Sequence, residues 1–258
     1  MWLLYFSTYR LERALQRHKP GLMLPYFDSR LDSRLPEPSH SVIWSDELIG
    51  TNRGHVTTGL GAGWKVYPST CNIGKDEKLQ RGVETDMGDM LYGNDMRQKY
   101  IETPKSFKNF TAPYDMSNFE MRHSTIHQYV GGQMGILTCS PNDPTFWMHH
   151  CFVDYCLDEL LRSPDFNKTY PVDSDVYGTP VPQAHRIGEP LLPFKGYRLT
   201  DVSEKQFMDV DYTYYRSPGD IRCTEDSQCN SEFLWCNPPQ CVSKVRNGGF
   251  SGTSPIQS

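Results

Sequence analysis

The stretch His123-Ser-Thr-Ile-His127, followed past Gly131-Gly132 by Ser140-Pro-Asn-Asp143-Pro-Thr-Phe146-Trp-Met-His149-His150-Cys-Phe-Val-Asp154, decides how this chain is read. Its first two histidines are four residues apart, which puts both imidazoles on one helix face, one turn from each other. Helical character runs from about Ser117 to Tyr129 and stops at Gly131-Gly132. Asp143-Pro144 opens a second helix, with proline in the first turn, where its missing N–H costs nothing. That helix runs through Leu161 and ends before Pro164. It offers His149 or His150 as a third ligand; the two project roughly 100° apart, so only one joins the same ion comfortably. Either feature alone is ordinary: an i, i+4 histidine pair suits a solvated face, and adjacent histidines on an aromatic helix suit simple packing. Together they form an oxygen-poor, imidazole-rich set, which favours copper or zinc over magnesium or calcium.

With Val130-Gly131-Gly132 between its halves, the run resembles the copper-B motif of tyrosinases, catechol oxidases and mollusc-type haemocyanins. The resemblance implies that His123, His127 and His150 bind one copper ion, with zinc as a possible substitute, and that His149 supports the site from beside it. It extends upstream. Leu24-Pro-Tyr-Phe27-Asp28 is similar to the family's L-P-Y-W-D segment, with Phe27 in place of tryptophan, and Ser41-Val-Ile-Trp44-Ser-Asp46 looks most like molluscan tyrosinases. The implied fold is mainly α: a tyrosinase-like helical domain, with a four-helix bundle around the copper site, long loops and a small disulfide-rich C-terminal segment.

Metal-bound imidazoles need their second nitrogen satisfied. Asp154, one turn after His150, and Asp143, at the start of the same helix, are the candidate partners, although Asp143 reads equally well as a plain N-cap. Phe146, one turn before His150, should pack against the site. Ser124 stands where the family usually has the asparagine that helps orient a water taking the phenol's proton. That difference weakens monophenol hydroxylation more than diphenol oxidation.

The family's copper-A half needs three more histidines, the last in a W-H-R segment before a helix. Residues 2 to 17 form the helix expected at that place, and no W-H-R precedes it; His18, His40 and His55 follow it in loop-like sequence, in the wrong order to substitute. Type-3 chemistry uses two copper ions, each giving one electron to dioxygen. The expectation is therefore a copper-B half whose partner ligands lie on a second chain or an upstream segment. Phenols or catechols and O2 are the implied reactants.

Further out, Pro20-Gly21 ends the first helix, and from about Leu24 to Tyr100 the sequence is irregular, its prolines and glycines favouring loops and short turns. Residues 76 to 100 read as a second, polar helix. Residues 165 to 218 read as a loose proline- and tyrosine-rich arm. The domain reading is a copper-binding domain over 1–218, a cysteine-rich module over 219–245 and a flexible tail over 246–258. Eight cysteines, four of them between Cys223 and Cys241, fit a disulfide-stapled secreted protein. Two disulfides are expected inside that cluster, with zinc as the rival reading; Cys151 and Cys156 lie on different faces of one helix and should not bond. The triplets at Asn109 and Asn167 are glycosylation sequons, in keeping with secretion, whereas the opening residues have no signal-peptide pattern.

The net charge of −5 and the lack of a basic run exclude nucleic acid as a partner, and Met1–Phe6, the longest apolar stretch, is far too short to span a membrane. The functional readings are a secreted phenol or catechol oxidase, a non-catalytic structural or matrix protein on the same fold, and, less well supported, an oxygen carrier.

Overall fold

The computed structural model describes residues 2–66, 71, 78–83, 119–164, 188–190, 194, 196–198 and 212–246. Three α-helices stand among them: α1 (Trp2–Gln16), α2 (Phe119–Val130) and α3 (Pro144–Arg162). Two short antiparallel pairs accompany them: β1 (Arg53–His55) with β2 (Gln80–Gly82), and β3 (Leu234–Asn237) with β4 (Gln240–Ser243). The chain divides into two compact units. One holds Met1–Tyr26, Asp95–His123 and His150–Tyr215; the other holds Phe27–Asn94, Ser124–His149 and Arg216–Ser258.

In the first unit α1 is an uninterrupted helix without glycine or proline. It ends as the sequence indicates, with Gly21 in the left-handed region at φ 80°. Glu12 ties its last turns to the outgoing chain, accepting hydrogen bonds from Leu24 N at 2.8 Å and Gln16 Nε2 at 3.2 Å. Phe6 packs on Phe194 and Tyr197. The second half of α3 is buried nearly all round, with Cys151, Phe152, Val153, Tyr155, Cys156, Leu157, Leu160 and Leu161 inside. A helix buried on nearly every side is an interior helix. Cys151 and Cys156 are buried thiols, not bonded to each other.

In the second unit, Phe27, Trp44 and Tyr129 form a buried aromatic line with ring centroids 6.4 Å apart at each step. Part of the polar helix expected over 76–100 is instead strand: Gln80–Gly82 pair with Arg53–His55, Gly54 opposite Arg81. Residues 76–77 and 84–100 of that span lie outside the described residues, as does most of 165–218. The physical reason for the strand is close backbone approach. A Cβ on Gly132 would sit 2.0 Å from the Gln80 carbonyl oxygen, and Gly131 and Gly132 take φ of 63° and 55°. Gln133 completes the contact, accepting from Gln80 N at 2.6 Å and donating to the Lys78 carbonyl at 3.2 Å.

Cys71 bonds to Cys139, and the C-terminal cluster pairs internally as Cys223–Cys236 and Cys229–Cys241. These bonds exclude the zinc alternative for the cluster, because a disulfide sulfur is no thiolate. The β3–β4 hairpin is seated on the segment after Phe27. Val42 N donates to Lys244 O at 2.7 Å and Arg246 N to His40 O at 2.9 Å, while Leu31 packs against the cystines. A buried ion cluster lies beside them: Arg30 bonds Asp28 and, at 2.7 Å, Asp220, and Ser217 donates to Asp28.

Candidate metal centre

α2 and α3 carry the sequence's histidines into one place. One ligand nitrogen from each of His123, His127 and His150 lies within 4.8 Å of the other two. His123 and His127 share a face of α2, as their spacing requires. His150 comes from α3, 1% exposed, with its ring centroid 5.7 Å from that of His123.

The second ring nitrogens are held by backbone carbonyls. Nδ1 of His123 contacts the Glu120 carbonyl one turn back. Nδ1 of His127 lies 3.0 Å from the Met134 carbonyl. That carbonyl is in position because Gly131 and Gly132 turn the chain back sharply after α2 into the short 3-10 turn Gly132–Gly135. With Nδ1 of His123 and of His127 engaged by a carbonyl, Nε2 is the nitrogen each of these rings would offer a metal. Burial holds the His127 pKa below its ordinary value, against the raising effect of the Met134 hydrogen bond. The neutral imidazole is the ligating form.

His149 is fully buried beside the set. Its ring meets His127 edge-on at 5.4 Å, and it is not one of the three converging ligands. Phe146 packs edge-on against His127 at 5.9 Å. Ser124 is half-buried on α2, next to His123. His18 and His55 are exposed, His40 is half-buried, and none of them joins the cluster.

The two carboxylates offered by the sequence as imidazole partners are engaged by other groups. Asp143 caps α3 by accepting from Thr145 N at 2.8 Å, and it receives a two-pronged ion pair from buried Arg81 at 2.8 and 2.9 Å. Arg81 also donates to the carbonyls of Ile49 and Thr51. Asp154 accepts hydroxyls from Tyr212 at 2.5 Å and Tyr214 at 2.7 Å. Burial pushes the Asp154 carboxyl up to about 6, the tyrosine hydrogen bonds pulling the other way. Sequence reasoning missed the carbonyls of Glu120 and Met134, which no side-chain pattern advertises, and Arg81, whose partner is sixty-two residues away.

Three imidazoles without a carboxylate, partly shielded from water, fit copper or zinc and suit hard cations poorly.

Comparison with known proteins agrees with the site. A family model described as the common central domain of tyrosinase matches residues 6–160. A putative tyrosinase-like protein of Caenorhabditis elegans is 29% identical over 255 residues, covering 93% of this chain and 35% of that one. A tyrosinase-like protein of Pinctada maxima is 25% identical over 254 residues, covering 89% and 53%. A tyrosinase of Streptomyces lincolnensis is 30% identical over 159 residues, covering 55% of each. The chain thus spans about half the length of most of these relatives, and about a third of the nematode one. Among solved structures, a polyphenol oxidase variant from Thermothelomyces thermophila aligns with a TM-score of 0.52 at 20% identity, covering 62% of this chain and 53% of that one. At that identity the likeness is one of fold.

Proposed function

The chain belongs to the tyrosinase family, and we propose that it forms the copper-B side of a secreted type-3 copper oxidase converting phenols or catechols to o-quinones with dioxygen. The observation that carries this reading is the convergence of three imidazole nitrogens within 4.8 Å. Copper, when bound, supplies a one-electron couple for reducing dioxygen. The chain's own residues hold and aim. His123 and His127 present Nε2 because backbone carbonyls engage Nδ1, and His150 closes the set from α3. Phe146 gives the site an apolar aromatic wall of the kind that suits a phenolic ring. Ser124, in place of the family's asparagine, fits diphenol oxidation better than monophenol hydroxylation.

The second copper needs its own ligands, and His18, His40 and His55 do not gather to supply them. In this reading they come from a partner chain or from a segment outside this sequence. Three disulfides support an oxidising, extracellular setting. The second reading, a non-catalytic structural or matrix protein of the same family, draws on Ser124 and on the single three-histidine set among the described residues.

Copper titration with metal analysis tests the site. One tightly held ion per chain is expected, and it should be lost in His150→Ala; no binding, or binding indifferent to that substitution, overturns it. The copper-loaded chain alone should not oxidise catechol, and turnover should appear once the family's missing half is supplied. Copper binding without turnover even then selects the structural reading.

A further inference from the structure

Asp32 follows the Ser29–Leu31 turn and is 1% exposed. Its hydrogen-bond partner is a hydroxyl, not a cation: Ser41 Oγ donates to Oδ1 at 2.7 Å, while Oδ2 is buried without a hydrogen-bond partner. The cation of this buried cluster, Arg30, is already engaged by Asp28 and by Asp220. Two carboxylates against one guanidinium leave the cluster negative before Asp32 contributes anything. A further buried carboxylate charge without a counter-ion is costly, and such a group holds its proton instead.

We propose that Asp32 is a proton-operated latch: protonated, it sits uncharged beneath Ser41, whose backbone pairs with Val245 just beyond β4 and so seats the disulfide hairpin on residues 27–46, and ionised, it sets a third carboxylate charge against a single guanidinium and loosens that seat. Burial first, and Asp28 in addition, push its carboxyl up to about 7, the nearby serine hydroxyls opposing. The other groups facing it do not offset its charge. Tyr129 of α2 has its phenol raised by burial and by Asp32 itself, with Glu37 adding to this, so it stays neutral across the range. Lys244 is turned to the Glu232 carbonyl and Arg246 to the Trp44 carbonyl.

The sign follows from linkage. In the opened hairpin Asp32 returns to an ordinary carboxyl value near 4. The open-to-closed ratio therefore rises with pH from there, at most about tenfold per unit. It levels off above about 7, where the closed form is ionised too.

Hydrogen exchange on the whole chain reads this directly at the amides of Val42 and Arg246, which join the hairpin to the loop. After correction for intrinsic exchange, opening should rise on the order of a hundredfold between about pH 4.5 and 7 and then flatten. In Asp32→Asn, neutral and of the same shape, the change should stay under about threefold. A flat wild-type profile, or an equal rise in Asp32→Asn, overturns the latch. Should that variant fail to fold, the 13C carboxyl resonance of Asp32 in the unsubstituted chain decides: a midpoint near 7 supports the latch, and one near 4 overturns it.

Discussion

Between Phe119 and Arg162 the chain is ordered by helix periodicity and close backbone contact, whereas between Ser217 and Arg246 it is ordered by cross-links and buried charge. α2 and α3 bury Phe119, Ile126, Tyr129, Phe146, Met148 and Phe152 and carry the histidines as a consequence of their pitch. The C-terminal hairpin has two cystines, a few apolar residues and an ion cluster where a core would be. The contrast separates what would hold a metal from what holds the fold. Damage to the first region should appear as lost copper with little change in stability. Damage to the second should appear as lost stability with copper retained.

The largest expected effect is on copper itself. Since removal of outer partners alone costs metal sites on the order of 10–100-fold in affinity, loss of a direct ligand should cost more. His123→Ala, His127→Ala and His150→Ala should each weaken copper binding by more than about a hundredfold by competition titration, while the metal-free thermal midpoint moves little. A variant that keeps copper but melts early would mean that these histidines are packing residues.

Arg81 tests the boundary between the two behaviours, because its ion pair with Asp143 is fully buried at the start of α3. Removing one partner leaves an uncompensated buried charge, so Arg81→Ala should cost about 3–5 kcal/mol by denaturant unfolding. Replacing both at once, Arg81→Met with Asp143→Leu, should recover much of that loss. If the single change is mild, water reaches the pair and the site's support lies elsewhere.

For the hairpin, Cys229→Ser with Cys241→Ser opens a disulfide spanning twelve residues of separation. The expected loss is about 3 kcal/mol of hairpin stability, seen as faster proteolysis after Ser217, with copper stoichiometry unchanged. Copper lost along with the bond would break the contrast.

How much of this was legible in the sequence follows the same division. The helix ends at Pro144 and Pro164, the i, i+4 pair and the three-histidine set are local patterns, and α1, α2 and α3 came out within a few residues of expectation. The two cystines inside the C-terminal cluster were legible from crowding alone, though their pairing was not. What escaped was set by distant backbone. Gln80–Gly82 read as helical because its composition is polar, and it became strand because Gly131 and Gly132 admit it against the end of α2. Asp154 read as a partner of imidazole because helical spacing put it one turn from His150, and Asp143 read either as such a partner or as the plain N-cap that it is. Arg81 and two tyrosines, remote in sequence, hold them instead. Carbonyls took over the histidine nitrogens, and a carbonyl has no letter in the sequence.

The smallest effect concerns Asp154, which sits on the helix that carries His150 but is held by distant side chains. Tyr214→Phe removes one hydroxyl from a buried carboxylate and should cost about 1.5–3 kcal/mol at neutral pH. The loss should depend on pH in a definite direction. The folded carboxyl titrates at about 6, above its ordinary 3.8, so its contribution to stability falls as pH rises between those values and then levels off. The two tyrosine hydrogen bonds lower that value by favouring the ionised form. Without Tyr214 the folded carboxyl titrates higher still, and the fall continues past pH 6. Urea unfolding of wild type and Tyr214→Phe at about pH 5 and 7.5 should therefore show the smaller difference in acid and the larger at neutral pH. An equal difference at both would mean that the hydroxyl fills space without stabilising the Asp154 charge.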